Sequence, residues 1–162
     1  MFKGESYLLE ILTSVGDIKG RKKFQKIVHL LENKGMEPIY RYKYHHYGPY
    51  SSDLQLEIDL LVHKGLVKEE FENGTYSYKI TDKGTEFKEK VSAYNNINID
   101  KDLLIKLNEK DASFLELLST YVFLRDYGRS EDEAKEETLK LKPHLKGYMD
   151  KVLSFYRESL LN

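Results

Sequence analysis

SDLQLEIDLLVHKGLVKEEFENGTYSYKI, residues 52–80, joins an amphipathic helix to a hairpin and sets the reading of the chain on either side. Leu54, Ile58, Leu61 and Val62 recur at helical spacing over 53–64, so they form one face that must enter a core. Ser52 with Gln55 three residues on reads as a capping box, Asp53 suits the positive end of the helix dipole, and Gly65 ends the helix. Asn73-Gly74 supplies the positive φ angles of a type I′ turn, so the segments on either side pair as antiparallel strands. The opposite helix face carries Asp53, Leu56, Asp59, Leu60 and His63, with Glu57 at its edge. A helix that reads DNA offers Arg, Lys, Asn or Gln to base edges and phosphates. This one offers carboxylates, which phosphates repel, and leucines. We expect Leu56 and Leu60 to be buried against another element or another protein. The hairpin repeats the acidity in Glu69, Glu70 and Glu72.

Upstream lies His45-His46-Tyr47-Gly48-Pro49-Tyr50-Ser51-Ser52, where Pro49 pushes Gly48 out of the helical region and forces a turn. Before it, Ile39-Tyr40-Arg41-Tyr42-Lys43-Tyr44 alternates with a period of two and predicts a half-buried strand with its tyrosines on one face. Aromatic and basic residues interleaved in this way also suit a single-stranded nucleic-acid platform. A helix over 21–33 places Phe24, Ile27, Val28 and Leu31 on one face. Arg21, Lys22, Lys23 and Lys26 crowd its positive end, where anions are preferred. A solvated basic face explains them, and a bound anion or acidic partner is the alternative. The first helix begins with Ser6 as N-cap and stops at Gly16. His45 and His46 on a strand point to opposite faces, and spacing places no third ligand beside them, so we expect no metal site.

Downstream, Thr81-Asp82-Lys83-Gly84 opens a helix that continues through Val91, and the polar run 95–100 reads as a linker. Beyond it the chain is helical. Asp100 or Asp102 caps a short helix, Asp111 caps a longer one that is apolar nearly all round, and Ser130 with Glu133 forms a capping box. Pro143 suits the N1 position of a last helix through Leu160. The predicted fold is α+β and mostly helical, with a winged helix-turn-helix domain over 1–94 and a helical carboxyl-terminal domain over 95–162. That carboxyl-terminal bundle is a natural cover for Leu56 and Leu60, or else builds a homodimer.

The totals narrow the classes. The 162 residues contain no cysteine, which excludes disulfides and thiolate chemistry. A chain of this length buries about 70% of its unfolded surface and needs no covalent staple. No apolar run approaches the roughly 20 residues of a membrane span, so we expect a soluble, cytoplasmic protein. The net charge is −1, yet residues 1–50 hold nine Lys and Arg against five Asp and Glu, whereas 51–162 are acidic. The basic stripe is modest for a nucleic-acid binder.

Lys22-Lys23-Phe24-Gln25-Lys26-Ile27-Val28, Tyr47-Gly48-Pro49-Tyr50-Ser51 and 60–70 resemble the YwgA-like family of uncharacterised prokaryotic proteins. Residues 120–128 and Lys142-Pro143 look like that family's carboxyl-terminal portion. The Gln-Lys-Ile and Tyr-Gly-Pro motifs are also similar to the Panacea, or SocA-type, antitoxin domain, which implies a protein-binding module that neutralises toxins or hands a client to a protease. The hairpin with Thr81-Asp82-Lys83-Gly84 looks like the PadR-like regulators, which also carry a winged helix before carboxyl-terminal helices.

No Gly-rich phosphate loop, nucleophile elbow or ordered set of His, Ser and carboxylate is present, so no catalytic residue and no cofactor is predicted. The leading expectation is a protein-interaction module or adaptor, binding another protein or its own copy through Tyr47, Gly48, Pro49, Tyr50, Leu56 and Leu60. The alternative is a DNA-binding regulator that contacts DNA through Arg21, Lys22, Lys23, Lys26, Arg41 and Lys43.

Overall fold

The computed structural model describes residues 2–161. Helix α1 (Lys3–Val15) leads through the two-residue strand β1 (Ile18–Lys19) into α2 (Arg21–Asn33). A small hairpin, β2 (Lys43–His45) and β3 (Gly48–Tyr50), precedes α3 (Ser52–His63). Strands β4 (Val67–Glu72) and β5 (Thr75–Ile80) follow, then α4 (Asp82–Val91), α5 (Lys101–Asn108), α6 (Ala112–Asp126) and α7 (Glu131–Leu141). A 3₁₀ turn at Pro143–Tyr148 enters α8 (Met149–Phe155), which runs into a π-helical turn at Tyr156–Leu160. The protein is α+β and mostly helical.

The Asn73-Gly74 turn pairs β4 with β5 antiparallel, Glu72 opposite Thr75 and Val67 opposite Ile80. Strand β1 adds to the other edge of β5, with Ile18 opposite Tyr78. Two residues are too few to show a period, so this strand was invisible to pattern reading. Gly20 (φ 111°) turns the chain into α2 immediately afterwards, its N–H donating to the Tyr76 carbonyl at 2.6 Å.

Several local expectations change. Helix α1 begins at Lys3, and Ser6 is a buried acceptor for Asn95 Nδ2 at 3.3 Å instead of a cap. The cap of α3 is Ser51, whose Oγ accepts from the Leu54 N–H, while Gln55 turns outward to Asp59. The expected strand over 39–44 shrinks to its last residues because Glu32 captures the backbone N–H groups of Ile39 and Tyr40 and the Tyr42 hydroxyl. Those donors are then lost to any ladder. The alternation survives in part: Tyr40 is buried and Tyr42 half-buried while Arg41 and Lys43 are exposed, but Tyr44, expected on the tyrosine face, is exposed as well. Thr81, Asp100, Asp111 and Ser130 cap their helices, the last in a reciprocal box with Glu133. Pro143 opens the 3₁₀ turn, and the α-helix starts only at Met149.

One hydrophobic core joins the two halves of the chain, with Leu8 and Leu12 of α1 in the same cluster as Leu103 and Leu107 of α5. Helix α6 packs against α2, α7 and the β2–β3 hairpin. It is covered on several sides, as its all-round apolar pattern requires. Because that surface is spent on α2, the carboxyl-terminal helices leave Leu56 and Leu60 uncovered, 58% and 44% exposed. The expectation that those helices would cover the two leucines is therefore not met within one chain.

Gly84, in the first turn of α4, lies so close to Leu66 that a Cβ there would meet the Leu66 carbonyl oxygen and the Ile80 side chain. Helix propensity alone favours Ala over Gly by about 1 kcal/mol. Urea unfolding of Gly84→Ala is expected to show the reverse, a loss of about 2 kcal/mol from overpacking; a variant more stable than the parent contradicts this close approach.

Candidate functional site

Helix α2 is buried on every side from Phe24 to Leu30, although Gln25, Lys26 and His29 lie within that run. Each polar side chain has a fixed task. Gln25 grips the backbone of Ser51 in both directions: its Nε2 donates to the Ser51 carbonyl at 2.8 Å, and its Oε1 accepts from the Ser51 N–H at 3.0 Å. Lys26, 1% exposed, donates from Nζ to the Pro49 carbonyl at 2.6 Å. Together they fasten β3 and the start of α3 from within. Gly48 takes φ 94°, and a Cβ there would come within 2.9 Å of Thr120 Oγ1 on α6, so both the conformation and the space call for glycine.

Helix α6 answers these cations with Glu116, which is 3% exposed. Its Oε1 lies 2.9 Å from Lys22 Nζ, and its Oε2 lies 3.1 Å from Lys142 Nζ. Lys142, itself buried, also donates to the His46 carbonyl at 2.6 Å. Burial alone pushes the Glu116 carboxyl up, but the hydrogen bonds from Lys22 and Lys142 outweigh it and hold the group below the usual carboxylate range. Burial pushes the Lys26 ammonium down to about 7, against the pull of Glu116 and with the push of Lys22 and Lys142. Next along α2, burial followed by the Lys26 charge pushes His29 down to about 3, and its Nδ1 lies 2.7 Å from Ser119 Oγ.

A cavity of about 460 Å³ opens beside this cluster, between the start of α2, the hairpin turn and α3. Tyr47 and Tyr50 line it together with His45, Lys22 and Lys26. The residues named from sequence therefore divide. Gly48 and Pro49 are buried and shape the turn, while Tyr47 is 58% exposed on the cavity rim and Tyr50 is half-buried beside it. Leu56 and Leu60 lie on the open face of α3, which borders the same cavity through Gln55 and Asp59.

Of the cations proposed for DNA, Lys26 is interior. Lys22 pairs with Glu116 and sits 4.7 Å from the Tyr47 ring, and Lys23 donates to the Asn108 carbonyl. Arg21 donates to the Tyr78 hydroxyl, whose own proton goes to Glu69, and lies 4.0 Å from the Tyr76 ring. The crowd of cations at the α2 start is thus answered from inside the chain, by Glu116 and Glu69. Arg41 and Lys43 remain exposed.

Sequence reading missed Gln25, Glu116 and Lys142 as members of this site. Polar residues amid an apolar run at 24–31 were the available signal, but it does not name the partner ninety residues away. Among the described residues, no group of three His, Cys, Asp or Glu is placed to hold a metal ion. Among the same residues, no helix is long and apolar enough to cross a membrane.

The chain is 32% identical over 151 residues to the uncharacterized protein YwgA of Bacillus subtilis (strain 168), a match that spans 88% of this chain and 86% of the other. The chain belongs to the YwgA family. No protein-family model matches it.

For this YwgA-family chain the Lys26 environment has a measurable sign. An unfolded lysine titrates near 10.4, whereas Lys26 in the fold titrates at about 7. Between those values the unfolded chain binds the extra proton, so Lys26 makes stability rise with pH above 7 and fall as pH drops back through that window. Urea unfolding at pH 7, 8 and 9 is expected to give a steeper rise for the parent than for Lys26→Met, by up to about 1 kcal/mol per pH unit. Parallel curves for the two proteins contradict a buried, deprotonating Lys26.

Proposed function

We propose that this protein is a winged-helix interaction module, an adaptor without catalytic activity whose docking face is the outer side of α3. The order α1, β1, α2, α3, β4, β5, α4, interrupted between α2 and α3 by the β2–β3 hairpin, with the sheet order β1-β5-β4, supports the winged-helix reading. In such a fold α3 occupies the recognition position. The observation that carries the proposal is the chemistry of that helix: Leu56 and Leu60 stand exposed, flanked by the exposed carboxylates of Asp53 and Asp59. Carboxylates repel phosphates, whereas two leucines in an acidic frame suit a protein surface with an apolar centre and a basic rim. Tyr47, exposed beyond the neighbouring cavity, extends the face with an aromatic anchor.

An antitoxin, whose partner is a toxin, is one adaptor of this kind. That narrower reading rests on Gln25-Lys26-Ile27 and Tyr47-Gly48-Pro49, most of which hold the scaffold together from inside rather than meet a partner.

The double substitution Leu56→Lys and Leu60→Lys tests the docking face. Both positions are exposed, so the variant is expected to stay within about 0.5 kcal/mol of the parent in stability. In tagged pull-downs from the native cell treated with nuclease, the parent is expected to retain a protein in stoichiometric amount, and the variant to lose it. Recovery of nucleic acid that is released at raised salt, equally by parent and variant, contradicts the adaptor and favours a regulator.

A further inference from the structure

The buried cluster behind the hairpin turn does not balance its own charge. Lys22, Lys26 and Lys142 surround a single carboxylate, Glu116. The neighbouring Arg21 is matched separately by Glu69, and the acid at the cavity's edge, Asp59, is bonded to Gln55 on its own helix. Two lysines of this cluster, Lys22 and Lys26, line the 460 Å³ cavity. Lys26 has one hydrogen bond, to the Pro49 carbonyl, from a group with three donors to give. With Glu69, Glu116 and Asp59 set against Arg21, Lys22, Lys26 and Lys142, the surroundings of the cavity keep one excess positive charge while Lys26 is protonated, a form that a nearby anion favours.

Its walls are aromatic. His45 packs on Tyr50 with ring centroids 5.0 Å apart, and His46 meets Tyr47 edge-on at 5.4 Å. All four rings border the cavity, and Lys22 lies over the Tyr47 face. Flat rings beside a cationic corner complement a ligand with a planar body and one anionic end. The cavity size lies within the usual span for small-molecule sites, about 300–1,000 Å³.

We propose that this cavity is a binding site for a small planar organic anion, an aromatic carboxylate or phosphate ester, with its charge at Lys22, within the field of the buried Lys26, and its ring among His45, Tyr47 and Tyr50. The ligand would lie against Gln55 and Asp59 of α3, next to the exposed leucines. The site stands independently of any protein that docks there.

Amide ¹H–¹⁵N spectra of the full chain titrated with phenyl phosphate, phenol and inorganic phosphate test it. Phenyl phosphate is expected to shift the amides of Lys26, Tyr47, Gly48 and Tyr50 with the millimolar affinity of a fragment, about tenfold tighter than either phenol or inorganic phosphate. Lys22→Ala and Lys26→Met are each expected to remove the preference over phenol while keeping amide dispersion. If Lys26→Met fails to fold, Lys22→Ala, altered at the cavity rim, decides. Equal binding of phenol and phenyl phosphate overturns the anionic corner, and equal binding of inorganic phosphate overturns the aromatic walls. Shifts confined to other residues, or none at millimolar concentration, overturn the site altogether. A short peptide bearing an aryl phosphate that binds about tenfold tighter than phenyl phosphate assigns the cavity to a partner chain and overturns the free-ligand proposal.

Discussion

The hairpin turn is held by two side chains of α2 that reach its backbone from the interior. Gln25 satisfies both polar groups of Ser51, and Lys26 satisfies the Pro49 carbonyl. The pairing of β3 with β2 holds this segment locally, but Pro49 has no N–H and Gly48 no side chain, and the Pro49 carbonyl is left for α2 to satisfy. Without α2 the Pro49 carbonyl would be buried and unpaired, at about 1–3 kcal/mol, whereas the Ser51 carbonyl would keep its bond from the Gln55 N–H. The position of α3, which Ser51 caps, follows from that grip.

A buried ammonium is costly unless something compensates it. Helix α6 provides Glu116, and Lys142 beyond α7 closes the cluster onto the carbonyl of His46. The carboxyl-terminal helices are thereby bound to the amino-terminal part by charge as well as by apolar packing. Covering α2 in this way leaves α3 with one side in the core and the other open. The exposure of Leu56 and Leu60 is a consequence of where α6 has to be.

Much of the architecture was legible in the residues. The Asn73-Gly74 hairpin, the helix that opens at Thr81-Asp82-Lys83-Gly84 and the caps at Asp111 and Ser130 follow from local spacing and are found in the structure, and the helix read over 53–64 is found one residue earlier, at Ser52–His63. The site was less legible, for a physical reason. Lys22 and Lys26 look like a solvated basic face until Glu116 is brought to them from α6, and no local pattern encodes a contact across ninety residues. Gly48 and Pro49 read as a surface motif because turns usually are, yet these are interior. The strand expected at 39–44 failed because Glu32, a residue of the preceding helix, takes its backbone donors. Leu56 and Leu60 were expected to be buried against another element or another protein, and the cover expected from the same chain is absent.

The Gln25-Lys26 and Gly48-Pro49-Tyr50-Ser51 segments meet as one interior joint. Native-state hydrogen exchange at the Ser51 amide tests that joint most directly. If Gln25 and Lys26 anchor the turn as part of the core, Ser51 exchanges only with the global opening that also releases the buried amides of α2 and α6. Exchange of Ser51 by local fluctuation, as fast as the exposed turn at Asn73 and Gly74, would show that the joint opens independently and would contradict an interior anchor.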